Sequence, residues 1–183
     1  SLRYVGERGN QAAGGNLYAV IFVDRSTNRI FDAYIRDKDQ LEATVNRVRV
    51  SMEIESKDSV AYKGAAIRVV RFVSDRDSNL TSDEAVADML AERVGHRMTA
   101  ADAKNQTPLL DNIILRIING TRAVLDASGL PEEFWELAMR YTVRVINGLP
   151  TADHELNHSA LQRWKGGAPR EDEILTFGAD VFL

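Results

Sequence analysis

Aspartates at the ends of predicted elements are the residues of this chain best suited to chemistry. Asp75 follows a predicted strand, and Asp111 lies near the start of a predicted helix. Carboxylate oxygens are the ligands that Mg²⁺ and Mn²⁺ prefer. Arg76 directly follows Asp75 and would compete with a metal ion for its carboxylate. The alternative interpretation is therefore that Asp75 is a charged residue at the end of a strand and binds no metal.

Other metal-binding sets are poorly supported by the sequence. The chain contains no Cys, which excludes disulfides and Cys-ligated zinc. His96, His154 and His158 are too scattered for a zinc site. Asp24 ends another predicted strand, where an aspartate is expected to cap a turn.

Composition and charge narrow the class of protein. A chain of 183 residues with 44% hydrophobic and 27% charged residues is typical of one globular domain. The net charge of -4 argues against a DNA-binding protein, which usually carries a basic face. No apolar run approaches the ~20 residues that span a bilayer, and no signal peptide is visible, so we expect an intracellular protein.

Hydrophobic periodicity predicts strands first, followed by alternating helices and strands. The predicted strands cover residues 2–5, 17–23, 29–35, 67–73, 96–99 and 175–183. Five helices are predicted. Three cover residues 37–56, 108–127 and 159–164. A fourth begins at a capping box at 81–84 and ends at Gly95, and a fifth begins at Pro131. The helix after Pro131 is expected to pack through Phe134, Leu137, Ala138, Tyr141 and Val145. This order predicts an α/β fold, with helices on the faces of a mixed sheet.

Four short motifs in the last third of the chain occur together in one known family. Residues 129–135 (GLPEEFW), 145–151 (VINGLPT), 159–169 (SALQRWKGGAP) and 175–178 (LTFG) are similar, in this order, to motifs of copia-type retrotransposon integrases. In the first half, residues 14–18 (GGNLY) and 22–26 (FVDRS) resemble motifs of the same family.

This resemblance covers nearly the whole chain and implies the catalytic core of such an integrase. The implied fold is ribonuclease-H-like, with a mixed five-stranded sheet flanked by helices, a C-terminal helical extension and a final strand. We expect one domain over residues 1–183, with a core at about 1–128 and an extension at about 129–183. The zinc-binding domain that usually precedes such a core does not match any part of the chain.

The resemblance also assigns the three carboxylate positions of the family's metal site. With Gly6 as the register mark, Arg3 stands where the family has its first aspartate, and a guanidinium cannot ligate a cation. Asp75 matches the second carboxylate. Asp111 stands at the position of the third, where the family has Glu, and 35 residues separate it from Asp75 as in the family. We therefore expect no intact catalytic set and no bound metal.

The helix after Asp111 departs from the family in a second way. Where the family has basic and polar residues that approach DNA, this chain has an apolar stretch. One interpretation is a helix buried on most sides; the other is an exposed surface for a protein partner or a second copy. The interface candidates are Ile113, Ile114, Leu115, Ile117 and Ile118.

Three functions stay open at the level of sequence. The first is a retrotransposon-derived domain that has lost catalysis and acts in the nucleus as a protein-interaction or dimerisation scaffold, with little or no DNA binding. The second is an active integrase core that uses Mg²⁺ or Mn²⁺ with Glu7 or Asp24 as the third acid. The third is a nucleic-acid-binding module without chemistry.

Overall fold

The described residues of the computed structural model contain five strands, which form one antiparallel and one parallel sheet. The structure describes residues 2–3, 11–63, 67–69, 71–74, 87, 89, 91, 93–98, 108–150, 158–167 and 176–178. Strands β1 (Leu2–Arg3), β2 (Tyr18–Val23) and β3 (Ile30–Ile35) are antiparallel neighbours in the order β1-β2-β3. Strands β4 (Arg71–Ser74) and β5 (Gly95–Met98) pair in parallel.

The continuous described ranges also contain four α-helices. Helix α1 spans Leu41–Glu55 and is preceded by a 3-10 turn at Lys38–Gln40. Helix α2 spans Pro108–Ser128, and helix α3 spans Trp135–Gly148 after a 3-10 turn at Glu132–Phe134. Helix α4 spans Ala160–Lys165, where Ser159 accepts a hydrogen bond from the Gln162 amide at 3.0 Å. Further 3-10 turns lie at Ser56–Asp58 and Val60–Tyr62.

The β2–β3 hairpin is covered on both faces, which explains why β2 buries consecutive residues. Alternate side chains of a strand point to opposite faces, so a run of buried residues requires packing on each side. On one face, Phe31 and Ile35 pack with α1 and with Trp164 of α4. On the other face, Ile21 and Ile30 pack with α2 and α3.

Most predicted elements are confirmed, but the sheet differs from the expectation. The five described strands form two separate sheets, and no hydrogen-bonded ladder between described residues joins them, so a single five-stranded sheet is not observed. The predicted strand at 67–73 begins only at Arg71, and Val73 is 38% exposed.

Three local predictions need correction. Phe177 and Gly178 lie in a turn, with Gly178 at φ 76°, where a final strand was expected; the rest of 175–183 lies outside the described residues. Gly95 opens β5 and does not end a helix; the left-handed residue before it is Arg93, at φ 54°. The capping box at 81–84 lies outside the described residues.

Helix α3 buries Ala138, as predicted, but its packing face differs from the predicted one at other positions. Its buried residues include Trp135, Met139, Thr142 and Val143, whereas Leu137 is 49% exposed. The sequence periodicity counted only apolar residues, and the buried threonine lies where another helix approaches closely. None of the helices within the described ranges is long and apolar enough to cross a membrane.

Candidate functional site

The structure places two of the three expected metal-site positions in regular elements. Position 3 lies in β1, where the Arg3 backbone stands opposite Ala19 of β2. Asp111 lies in the first turn of α2 and is half-buried. Asp75 directly follows Ser74, the last residue of β4, but lies outside the described residues, as does Glu7.

Asp24 is a structural residue, as its turn position predicts. Its Oδ2 accepts hydrogen bonds from the Thr27 amide at 2.9 Å and the Thr27 hydroxyl at 2.6 Å. Its Oδ1 accepts a third bond from the Tyr62 hydroxyl at 3.0 Å. Burial raises the pKa of Tyr62 to about 12, and the negative charge of Asp24 adds to this shift. Both carboxylate oxygens are therefore engaged within the fold.

The apolar stretch after Asp111 belongs mainly to the core, so the prediction of an interface there is wrong for three of its five residues. Ile113, Ile114 and Ile117 are buried, and Ile113 and Ile117 pack with residues of α3 and of the β2–β3 hairpin. Ile118 is half-buried, and Leu115 is 57% exposed. The sequence shows how wide the apolar arc is, but it does not show which neighbours cover that arc.

The histidines and tryptophans considered from the sequence do not form a metal site within the described residues. No group of three or more His, Cys, Asp or Glu residues that could hold a metal ion occurs within the described residues. His96 lies in β5, His158 precedes α4, and His154 lies outside the described ranges. Trp135 and Trp164 are both buried, as expected.

Asn147 is an anchoring residue that sequence reasoning missed. Its side-chain amide donates to the Ile30 carbonyl at 2.8 Å and accepts from the Ile30 amide at 2.9 Å. Asn147 of α3 thus pairs with both the amide and the carbonyl of Ile30 in β3. Strand β3 stands at the end of the order β1-β2-β3. The asparagine stands in the motif at 145–151, so the motif was visible in the sequence although the role of Asn147 was not.

Arg29 forms a second anchor, between the hairpin and the two helices on its face. Its guanidinium lies 4.4 Å from the ring centre of Phe31 and 4.6 Å from that of Trp164. It also forms an ion pair with Glu55 at 2.6 Å. Burial between two aromatic rings explains why an arginine is tolerated beside the core. No sequence pattern singled it out.

Comparison with solved structures defines the class of fold. The chain is similar to the catalytic core domain of the human T-cell leukaemia virus type 2 integrase, solved in complex with magnesium in a trimeric form, with a TM-score of 0.60 and 12% identity over 88% of this chain and 90% of that one. It is also similar to a simian T-cell lymphotropic virus intasome in complex with the PP2A regulatory subunit B56 gamma, with a TM-score of 0.63 and 13% identity over 93% and 54% of the two chains. The mixed α/β fold of this chain is therefore similar to that of a retroviral integrase catalytic core.

Sequence comparison supplies the link to transposons. The chain is 23% identical over 141 residues to the retrovirus-related Pol polyprotein from transposon TNT 1-94 of Nicotiana tabacum. The match covers 77% of this chain and 10% of the polyprotein, so the chain spans about a tenth of that relative. No family model matches the chain. The resemblance to a copia-type integrase core, expected from the motifs, is confirmed.

Proposed function

We propose that this chain is a retrotransposon-derived integrase-like domain that has lost catalysis and serves as a protein-interaction scaffold. The observation that carries the proposal is the strand position of Arg3. In the family this strand supplies the first metal-binding carboxylate, whereas position 3 here carries a permanent cation. A cation at that point repels the metal ions and cannot replace the missing ligand.

The hydrogen bonds of Asp24 weigh against one way of restoring the metal site. An active integrase would need a third acid beside Asp75 and Asp111, and Asp24 is one of two candidates. Three hydrogen bonds engage both of its oxygens with Thr27 and Tyr62. Recruiting it to a metal would break a turn and leave the Tyr62 hydroxyl without its acceptor, which leaves Glu7 as the acid that the alternative requires.

Helix α2 supports a structural role for the region that approaches DNA in the family. Ile113, Ile114 and Ile117 are committed to the core, so this face stabilises the fold instead of presenting polar groups. With a net charge of -4, we expect DNA binding to be weak or absent. A nucleic-acid-binding module is the further alternative; tight DNA binding that weakens steeply with added salt would favour it over the scaffold.

The scaffold is proposed to act as a homodimer in the nucleus, with further protein partners. Helix α1 presents Val50 and Ile54 one turn apart on its outer face, 40% and 58% exposed. Neighbouring exposed apolar residues are typical of an interface, and these two join Leu115 of α2, which is 57% exposed, as interface candidates.

The dimer is tested by the mass of the protein in solution. Light scattering coupled to gel filtration should give the mass of two chains for the wild type. The double variant Val50→Glu/Ile54→Glu should give the mass of one, because two carboxylates cannot be buried without partners. Leu149→Glu, at another exposed apolar position, is the matched control and should leave the dimer intact. A wild type that stays monomeric at high concentration contradicts this part of the proposal.

Loss of catalysis is tested by a strand-transfer assay with Mg²⁺ and with Mn²⁺. The wild type should join no DNA ends above the level of the Asp75→Ala variant with either metal. Metal-dependent joining that Asp75→Ala abolishes would establish the active-integrase alternative, and loss of the same activity in Glu7→Gln would identify its third acid.

A further inference from the structure

Two Asn-Gly pairs occur in the chain, Asn119-Gly120 in α2 and Asn147-Gly148 at the end of α3. Asn-Gly is the pair most prone to spontaneous deamidation, because glycine leaves its backbone nitrogen open to approach and lets the chain bend into a ring. The two side chains stand in different surroundings. Asn119 is exposed, whereas Asn147 is buried and bonded to Ile30. A chemical change at Asn147 therefore acts directly on the contact between α3 and β3.

Deamidation exchanges the side-chain amide of asparagine for a carboxylate in two steps. The backbone nitrogen of Gly148 attacks Cγ of Asn147, so that a new N–Cγ bond forms and the Cγ–Nδ2 bond breaks. Ammonia leaves with the proton that the glycine nitrogen loses, and a five-membered imide ring remains. Water then adds to either carbonyl of the ring and opens it, which gives an aspartate or an isoaspartate. Water is the only co-reactant, so the reaction needs no enzyme and no cofactor.

The folded structure holds the Asn147 side chain away from this reaction. Its Nδ2 donates to the Ile30 carbonyl at 2.8 Å and its Oδ1 accepts from the Ile30 amide at 2.9 Å, so rotation toward Gly148 breaks two hydrogen bonds. The backbone is fixed as well, because the helical hydrogen bonds of α3 continue to Leu149, whose amide donates to the Val145 carbonyl at 3.0 Å. Ring closure therefore requires the end of α3 to unwind first.

A carboxylate at position 147 cannot restore the contact with β3. The asparagine amide offers one donor group and one acceptor, which match the carbonyl and the amide of Ile30, whereas an ionised carboxylate only accepts. One carboxylate oxygen would face the Ile30 carbonyl without a proton between them, which leaves a buried acceptor unpaired. A negative charge at the C-terminal end of a helix is also unfavourable. Both products are therefore expected to weaken the attachment of α3.

We propose that Asn147-Gly148 is a deamidation site, protected in the folded protein and reactive whenever the end of α3 unwinds, and that its modification makes the loss of the α3–β3 contact permanent. Unwinding of a helix end is otherwise reversible. After deamidation the anchor cannot re-form, so the lifetime of the folded protein depends on how often this helix end opens. The proposal is independent of the metal site and of the function proposed above.

Peptide mapping by mass spectrometry tests the protection of Asn147. Wild-type protein is kept at mildly alkaline pH in native buffer and in concentrated guanidinium chloride, and deamidation is followed at Asn147 and Asn119. Asn147 should react at least about tenfold more slowly in native buffer than in denaturant. In denaturant, Gly148→Ala should slow the reaction at Asn147 and leave that at Asn119 unchanged. Equal rates at Asn147 in native buffer and in denaturant overturn the proposal.

Pulse proteolysis of the partly deamidated wild type tests the permanent loss of the contact. The chains are refolded into urea at the concentration where half of the unmodified protein is unfolded, a short protease pulse removes the unfolded chains, and the survivors are mapped. Chains modified at Asn147 should be depleted among the survivors by about tenfold or more, because a buried acceptor is left unpaired. Chains modified at the exposed Asn119 are the internal control and should survive like unmodified ones. Equal survival of the two modified species contradicts the proposal.

The substitution Asn147→Asp produces one of the two products directly. Its midpoint in urea should be lower than that of the wild type and lower than that of Asn147→Ala, because the carboxylate opposes the Ile30 carbonyl as well as failing to donate to it. Asn119→Asp is the matched control and should unfold near the wild-type midpoint. If Asn147→Asp does not fold, the mapping of the wild type still decides the question. An Asn147→Asp midpoint equal to that of the wild type overturns the proposal.

Discussion

Asn147 shows how one side chain can tie a helix to the last strand of a sheet. Its amide satisfies both the amide and the carbonyl of Ile30, two groups that a further strand would otherwise pair. An unpaired backbone group that is buried costs about as much as a lost hydrogen bond. Asn147 thus protects an edge that could pair with another chain.

Replacing Asn147 should destabilise the protein without changing its fold. Asn147→Ala leaves two backbone groups of Ile30 without partners and should lower the free energy of unfolding by about 2–4 kcal/mol. Urea denaturation followed by circular dichroism measures this change. Asn119→Ala, on the exposed face of α2, is the control and should cost less than about 0.5 kcal/mol. Equal effects of the two substitutions would show that the edge contact contributes little.

Residues whose partners are close in sequence were predictable, and those with distant partners were not. Asp24 was expected to cap a turn, and its partner Thr27 lies only three residues away. Its bond to Tyr62 crosses 38 residues, and no local pattern indicates it. Asn147 and Ile30 are 117 residues apart, so a motif match alone could not reveal their contact.

At the scale of elements, the contact between α2 and α3 explains why α3 buries Thr142, which the predicted packing face did not include. A Cβ atom at Gly120 would lie 2.6 Å from Cγ2 of Thr142, so these helices approach each other closely at that point. The Thr142 hydroxyl donates to the Ala138 carbonyl at 2.8 Å, which allows a polar residue to be buried there. Periodicity of apolar residues predicts that a helix exists and where it ends, but close helix contacts decide which side it buries.

The substitution Gly120→Ala tests this close approach because two effects have opposite signs. Helix propensity alone predicts a gain of about 1 kcal/mol, whereas the contact with Thr142 predicts a net loss of about 1–3 kcal/mol. Adding Thr142→Ser removes the obstructing methyl group and should recover most of the loss. Thermal unfolding of the single and double variants measures the loss caused by the contact with Thr142 and the gain from helix propensity. A stabilised Gly120→Ala protein would mean that the helices are further apart than described.

For the whole molecule, the C-terminal helix α4 is part of the main core and not an appendage. Trp164 is 1% exposed and packs against Phe31 and Tyr62, with ring centroids 5.4 Å and 5.6 Å apart. The Ser59 hydroxyl also donates to the Trp164 carbonyl at 2.7 Å. These contacts place Trp164 in the same apolar cluster as β3 and α1. The motif at 159–169 predicted this short helix, but not its place in the core.

Removing the Trp164 side chain should therefore affect the entire domain. Trp164→Ala leaves a cavity beside Phe31 and exposes Arg29, and we expect a loss of about 3–5 kcal/mol in the free energy of unfolding. The transition should remain single, with near-UV and far-UV circular dichroism changing together. Leu149→Ala, at a position 47% exposed, is the control and should cost much less. Two separate transitions would instead indicate that α4 folds apart from the rest.

Mn²⁺ binding tests most directly the proposal that the integrase fold is retained while its metal chemistry is lost. Calorimetry of the wild type should detect no saturable Mn²⁺ binding that depends on Asp75. Arg3→Asp exchanges a repelling charge for a ligand and should gain Mn²⁺ affinity by about tenfold or more, with the gain removed by a second substitution, Asp75→Ala. Saturable Mn²⁺ binding by the wild type that Asp75→Ala abolishes would contradict the account.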